Sequence, residues 1–202
     1  MTSKTPVLAA LAAALAALTI SGVALSSGAP MHHHTSKGKA GQGLARKLAR
    51  ARVATAPFAL DLAKAKASGY KQITPVMKNM GLHYLNPDIK GFDVTKPAIL
   101  VYLKRGSTYQ LGALEWVFTS KPAKPPLPGA KYGAFGAACH YADGTFVPAA
   151  SQDECAKTSP QSGAAFGFWH PNLVTLHVWL WYPNPSGIYS GTNPLVIPFN
   201  KG

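Results

Sequence analysis

The sequence predicts an α+β fold with a single domain, in which an antiparallel sheet carries an N-terminal helix and is connected by long Pro/Gly-rich loops. Two runs, residues 98–118 and 173–182, are rich in the β-branched and aromatic residues that strands prefer. Residues 55–67 carry apolar side chains at the spacing of one helical face. Residues 53–202 have the length of one ordinary domain, so we expect one core.

Residues 1–29 have the pattern of a secretory signal peptide. Lys4 precedes a long Ala/Leu run, and small residues follow, with cleavage expected after Ala24 or Ser26. A retained N-terminal anchor is the alternative, but no positive stop-transfer flank follows the apolar run. We therefore expect the protein to be exported, either to the periplasm or as a secreted protein.

Residues 30–52 are predicted to form a flexible arm that contains His32–His34 and a basic block. The segment 37–52, "KGKAGQGLARKLARAR", has six basic residues and no acidic one, within a chain of formal net charge +13. Such a block is attracted to anionic envelope polymers or lipid head groups through counterion release. No aromatic residue is interleaved for base stacking, so specific nucleic-acid binding is not expected. The three histidines could capture a metal ion or be plain linker.

The elements follow in order along the domain. A helix is predicted over residues 55–67, with Thr55 as its N-cap and Gly69 beyond its end. Residues 98–118 predict two strands joined by a turn at 105–107. The prolines of 122–130 exclude a central strand there, and 132–168 is expected to hold short strands in irregular chain. "NLVTLHVWLWY" is the strongest strand and is expected inside the sheet.

Cys139 and Cys155 are the two cysteines of the chain, and they predict one disulfide. An even pair in an exported protein forms a disulfide in the simplest case. Closing a loop of this length stabilises a fold by about 3 kcal/mol in the chain-entropy account. Thiolate ligation of a metal is the alternative, but the CxxC spacing that would support it is absent.

Three polar residues stand out because their neighbours in the sequence are bound for the core. They are His83 in "MGLHYLNP", Glu115 in "GALEWVF" and His177 in "TLHVWLW". If the strands that carry them are neighbours, two imidazoles and a carboxylate converge, which is a donor set for Zn, Cu, Mn or Fe. A small polar ligand is equally open. The other interpretation is a structural pair that hydrogen-bonds inside the sheet and binds nothing.

Several further residues are candidates around this centre. Trp179, on the same strand face as His177, could form an apolar pocket wall, and Asn86 and Asn184 could contribute polar contacts. His140 and His170 are weaker metal-ligand candidates, because one adjoins Cys139 and the other precedes Pro171 in an apparent turn.

These segments together resemble a family of exported bacterial proteins of uncharacterised function. The shared features are a G-x-H-[FY]-x-N-P segment, a strand that ends in Glu plus an aromatic residue, and an H-x-W-L-W-x-x-N-P-x-G block, and the similarity covers nearly all of residues 53–195. The resemblance implies recurring polar positions at His83, Asn86, Glu115, His177, Asn184 and Asn193. It implies no reaction.

The sequence therefore predicts an exported domain with a divalent-metal or small polar ligand site. The alternative is a noncatalytic cell-envelope protein that its basic arm holds to anionic surface polymers. No HExxH, GxSxG or GK[ST] motif is present, so the sequence assigns no enzymatic activity.

Overall fold

The protein is described here by a computed structural model, which gives the backbone of residues 35–200 and the side chains of 41–199. The signal-peptide prediction for residues 1–29, and His32–His34, lie outside these residues. Between residues 35 and 200, no helix is long and apolar enough to span a bilayer.

Nine strands in this part of the chain form two antiparallel sheets, which confirms the predicted α+β class and adds a second sheet to the one that was predicted. The larger sheet has the order β1 (Lys71–Gln72), β2 (Leu82–Leu85), β3 (Ile99–Arg105), β4 (Thr108–Phe118), β9 (Leu173–Val178) and β5 (Gly133–Phe135). The smaller sheet has the order β7 (Phe146–Pro148), β6 (Ala138–Tyr141) and β8 (Phe166–His170). The predicted hairpin at 105–107 is confirmed, since Arg105 pairs with Thr108 across a turn in which Gly106 has φ +57°.

The larger sheet separates two apolar layers. One layer is formed by the N-terminal helices and by the face of β3 and β4 that carries the buried residues Leu100, Leu114 and Trp116. The other layer contains Ile99, Val101 and Trp179, and the C-terminal 3-10 turn Pro194–Asn200 packs on it. Because side chains alternate along a strand, each residue of β3, β4 and β9 faces one of these two layers.

The N-terminal helical region is longer than predicted, and it is interrupted. Helix α1 spans Thr35–Thr55, a 3-10 turn spans Ala56–Phe58, and helix α2 spans Leu62–Ala67. Thr55 ends α1 instead of capping a helix, and its hydroxyl donates to the Ala51 carbonyl at 2.8 Å. Asp61 caps α2 by accepting from the Lys64 N–H at 2.8 Å. The expected stop before Gly69, which has φ +93°, is observed.

Helix α1 is docked from Leu44 onward, so this part of the segment 30–52 is not the flexible arm that was predicted. Leu44, Leu48 and fully buried Ala51 pack on the core at helical spacing. The Arg52 guanidinium stacks 4.6 Å from the Trp181 ring centroid and donates to the Leu180 carbonyl. The high density of basic residues hid this apolar stripe, although Ala, Leu, Arg and Lys are all strong helix formers.

The disulfide joins β6 to the chain after a short 3-10 turn, Gln152–Glu154. The Cys139 and Cys155 sulfurs are bonded, and their Cα atoms are 5.6 Å apart, within the usual range. Cys139 is buried in the small core of the three-stranded sheet. The bond is consistent with an exported protein.

We expect no free thiol in exported protein that is denatured without a reductant. Both cysteines are consumed in this bond, and the chain has no third one. Thiol titration in denaturant checks this, with a reduced sample as the control that releases two thiols per chain. Two thiols in the unreduced, freshly isolated protein would contradict the disulfide.

Candidate functional site

The register of the larger sheet brings His83, Glu115 and His177 to one face. Glu115 in β4 lies directly opposite His177 in β9 and opposite Ile99 in β3. His83 in β2 pairs with Val101, which is two residues from Ile99 on the same face of β3. All three side chains therefore point into the layer of Ile99, Val101 and Trp179, as the sequence predicts. We call these three residues the central cluster.

The distances within the central cluster are short. The His83 Nε2 atom lies 3.9 Å from the Glu115 Oε2 atom. The ring centroids of His83 and His177 are 6.4 Å apart, with an angle of 56° between their planes. Only 5%, 5% and 4% of the surfaces of His83, Glu115 and His177 are exposed. Three ionisable groups thus share one nearly dry space.

Thr74 holds the His83 ring. The Thr74 Oγ1 atom accepts from the His83 backbone N–H at 3.1 Å and lies 3.1 Å from the His83 Nδ1 atom. These contacts fix the ring so that its Nε2 atom faces Glu115. Thr74 belongs to no strand, and no sequence pattern pointed to it.

His177 has no comparable partner. Both of its ring nitrogens are buried and neither has a hydrogen-bond partner among the described residues. The Trp179 ring packs beside His177, with 5.0 Å between the two ring centroids. The Trp179 Nε1 atom donates to the Ser190 carbonyl and therefore not to His177. A buried polar atom without a partner costs about 1 to 3 kcal/mol, so burial of this ring is unfavourable unless a further group bonds it.

Burial disfavours the charged form of each member of the central cluster. Burial lowers the pKa of the His83 imidazole to about 4 and, together with the nearby His83, that of His177 to about 3. Burial raises the pKa of the Glu115 carboxyl to about 7, while a hydrogen bond from Thr175 opposes that rise. Thr175 lies two residues before His177 on the same strand face, so the period of two could have identified it.

A cavity of 160 Å³ adjoins the cluster. Its polar wall is formed by Thr74, His83, Glu115 and Thr175. The remaining wall is apolar and includes Met77 and Met80, both half-buried. This is the arrangement of a small binding site, with a few convergent polar groups in an apolar lining. His177 is not part of this lining.

The other predicted ligand-binding residues have structural contacts. The Asn86 amide donates to the Ser68 carbonyl at 2.9 Å and its oxygen accepts from the Asp88 N–H. Asn184 likewise bonds the Thr192 carbonyl and the Ser186 N–H. Neither lines the cavity beside the cluster. Both Asn residues precede proline, and both organise the turns that follow β2 and β9.

The two tryptophans that follow β9 pack in different layers. Trp179 shares the face of His177, as predicted. Trp181 packs against α1 instead, and its Nε1 atom donates to the Thr55 hydroxyl at 2.9 Å. The strand ends at Val178, so the alternation does not continue to residue 181.

Between residues 35 and 200, no three His, Cys, Asp or Glu side chains are already grouped closely enough to hold a metal ion. Two ligands at about 2.1 Å from one ion are about 2.9 to 3.4 Å apart for angles of 90° to 109°. The 3.9 Å separation of His83 Nε2 and Glu115 Oε2 exceeds this by about half an ångström or more.

The chain matches no family model, no curated protein and no solved structure. The resemblance to exported bacterial proteins therefore stays a prediction, and the function is argued from the geometry alone.

Proposed function

We propose that this protein is a metal-binding domain of the exported compartment, and that His83, Glu115 and His177 bind one divalent transition-metal ion. Imidazole nitrogen and carboxylate oxygen are the ligands that Zn, Cu, Mn and Fe accept in proteins. The cluster has this donor set on one sheet face, in register, and nearly removed from water.

The observation that carries the proposal is the pair of unpartnered nitrogens on His177. A core histidine with a structural role has at least one ring nitrogen bonded to a neighbour, as His83 does with Thr74. His177 has none among the described residues. An ion held between His177, Glu115 and His83 would give this ring the missing bond.

An ion fits the position of His177 better than a larger molecule does. A polar ligand in the 160 Å³ cavity contacts Glu115 and His83 but not His177, which is outside the lining. A single ion needs much less space than such a molecule and would lie between the three side chains. A small polar ligand remains the second candidate, because the cavity already presents Thr74 and Thr175 beside the carboxyl.

The protonation states support ligation at neutral pH. A ligating imidazole must be neutral, and burial lowers the pKa values of His83 and His177 to about 4 and 3. Burial raises the pKa of the Glu115 carboxyl to about 7, so the proton that competes with the metal ion is bound to Glu115. Metal binding below pH 7 therefore releases a proton from the carboxyl, and the affinity should fall about tenfold per pH unit there.

Zinc titration of Glu115→Gln tests the proposal. We expect the apparent affinity for Zn²⁺ at pH 7.5 to fall about 100-fold, because an amide cannot replace a carboxylate ligand. Glu154→Gln is the matched control, since Glu154 is exposed and its bond from the Ala150 N–H survives the change. His32, His33 and His34 are replaced by alanine and His170 by glutamine in every sample, so that zinc captured by that run or by His170 is not counted.

Equal zinc affinities for Glu115→Gln and Glu154→Gln would overturn the metal assignment. If neither binds zinc but both bind a small carboxylic acid or amide at the cavity, the second candidate replaces it. A protein that binds neither has a purely structural cluster.

The envelope-anchor alternative rests on the exposed side of α1. Arg46 and Arg50 are exposed, and residues 35–55 contain no acidic side chain. We expect Arg46→Gln/Arg50→Gln to weaken binding to vesicles of anionic lipid about 30-fold at low salt, at about 1 kcal/mol per cation. Lys64→Gln/Lys66→Gln, on exposed positions of α2, is the control of equal charge. Equal losses from both pairs would exclude α1 as a specific anchor.

A further inference from the structure

A second pair of histidines lies in the three-stranded sheet, away from the central cluster. His140 in β6 and His170 in β8 are diagonal neighbours, because Ala138 pairs with His170 and His140 pairs with Phe168. Their Nε2 atoms are 3.1 Å apart. Only 1% of His140 and 9% of His170 are exposed. Sequence reasoning ranked both as weaker candidates, since their convergence depends on the β6–β8 register.

The protons of this pair can be counted from its contacts. The His140 Nδ1 atom is 2.7 Å from the Ile73 carbonyl oxygen, and the His170 Nδ1 atom is 2.7 Å from the Pro171 carbonyl oxygen. A carbonyl oxygen only accepts, so each Nδ1 must carry the proton. In two neutral rings, each Nε2 atom then carries a lone pair and no proton. The two lone pairs face each other, since the nitrogens are 3.1 Å apart. Such a contact is repulsive unless a cation lies between them.

A shared proton is a poor candidate for that cation. It would make one ring an imidazolium surrounded by phenylalanine side chains. The ring centroids of Phe168 and His140 are 4.7 Å apart, and those of Phe135 and His170 are 4.8 Å apart. Phe146 covers the other side of His140. Burial lowers the pKa of both rings, and that of His140 falls to about 4 although its hydrogen bond to the Ile73 carbonyl opposes the shift. Both rings are therefore neutral at pH 7.

We propose that His140 and His170 form a second metal site, which binds a divalent ion such as Zn²⁺ or Cu²⁺ through the two Nε2 atoms. For an ion about 2.05 Å from both nitrogens, which are 3.1 Å apart, the angle nitrogen–ion–nitrogen is about 98°. That value lies between octahedral and tetrahedral angles. Linear two-coordinate binding would need nitrogens about 4 Å apart.

The ring orientation agrees with a shared ion. Rings that both point at such an ion have centroids about 4.8 Å apart, whereas rings whose nitrogens point straight at each other have centroids about 5.4 Å apart. The observed centroid distance is 5.0 Å. The two Nδ1–H groups bonded to backbone carbonyls are also the arrangement that fixes metal-ligating histidines in the correct tautomer.

The site has access to solvent and room for further ligands. His170 lines a cavity of 600 Å³ that also contains Leu173 and Lys90. No third His, Cys, Asp or Glu completes a metal-binding group with this pair in the part of the chain that the structure describes. Water or an anion attracted by Lys90 would therefore fill the remaining positions, as in open metal sites.

The test uses the full chain with His32, His33 and His34 replaced by alanine and, in addition, His177→Gln to remove the central site. We expect this protein to bind one Zn²⁺ by calorimetry, and the further change His170→Gln to weaken that binding at least tenfold. Nitrogen-15 NMR of the imidazoles gives a second measurement, in which zinc should shift the Nε2 resonances of His140 and His170 and leave the protonated Nδ1 resonances nearly unchanged.

Two outcomes would overturn the second site. One is a His177→Gln protein that binds no zinc, and the other is zinc binding that His170→Gln does not change. A pair with a shared proton would show itself as a zinc-insensitive titration of both rings. Because the central cluster is tested through Glu115→Gln, failure of one site leaves the result for the other intact.

Discussion

His177→Leu will stabilise the metal-free protein by about 1 to 3 kcal/mol and will abolish zinc binding at the central cluster. Leucine has a volume close to that of histidine, so little cavity or overpacking should result. It removes a buried ring whose two nitrogens have no partner among the described residues, and leaving such a group unsatisfied costs about 1 to 3 kcal/mol. The expected stabilisation is unusual, since most core substitutions destabilise.

Urea unfolding of metal-free protein, followed by the same experiment with excess Zn²⁺, measures both effects. Zinc should stabilise the wild type by mass action and leave His177→Leu unaffected at this site. His83→Leu is the matched control, because its ring contacts Thr74 at 3.1 Å and its loss gives no comparable gain. A metal-free His177→Leu protein that is less stable than the wild type would favour a structural cluster.

Glu115→Gln will stabilise the metal-free protein at pH 8 by on the order of 3 kcal/mol, and will have little effect at pH 4.5. Burial raises the folded-state pKa of Glu115 from 4.5 to about 7. Between these values the folded state holds a proton that the unfolded state has lost, so stability falls as pH rises through this window. Above pH 7 the penalty is complete, and an amide does not suffer it.

His83 and His177 act in the opposite direction. Their pKa values are lowered to about 4 and 3, so the unfolded state binds more protons below pH 6.5, and stability is lost as pH falls through that range. The Glu115 contribution must therefore be measured as the difference between wild type and variant across pH 4.5 to 8. A difference that does not grow with pH would show that the carboxylate is already compensated in the metal-free fold.

Much of the fold could be predicted from local patterns. The β3–β4 hairpin, the disulfide and the single face of His83, Glu115 and His177 follow from alternation, turn residues and cysteine count. The docking of α1 was not predicted, because its many basic residues suggested a solvated arm. The apolar stripe of Leu44, Leu48 and Ala51 that packs on the core lies among them.

What escaped prediction depends on tertiary register. Thr74 reaches His83 from outside any strand, and His140 meets His170 because the β6–β8 register pairs Ala138 with His170 and His140 with Phe168. No local period encodes either contact. The amides of Asn86 and Asn184 pointed to polar contacts, but turn formation uses both of them.

Anomalous diffraction at the zinc absorption edge, from crystals of the zinc-loaded protein, tests the central claim most directly. We expect a peak on the face of β2, β4 and β9, about 2.0 to 2.2 Å from a nitrogen of His83, a nitrogen of His177 and an oxygen of Glu115. Zinc located elsewhere in the chain, with only a water molecule bonded to His177, would contradict the account.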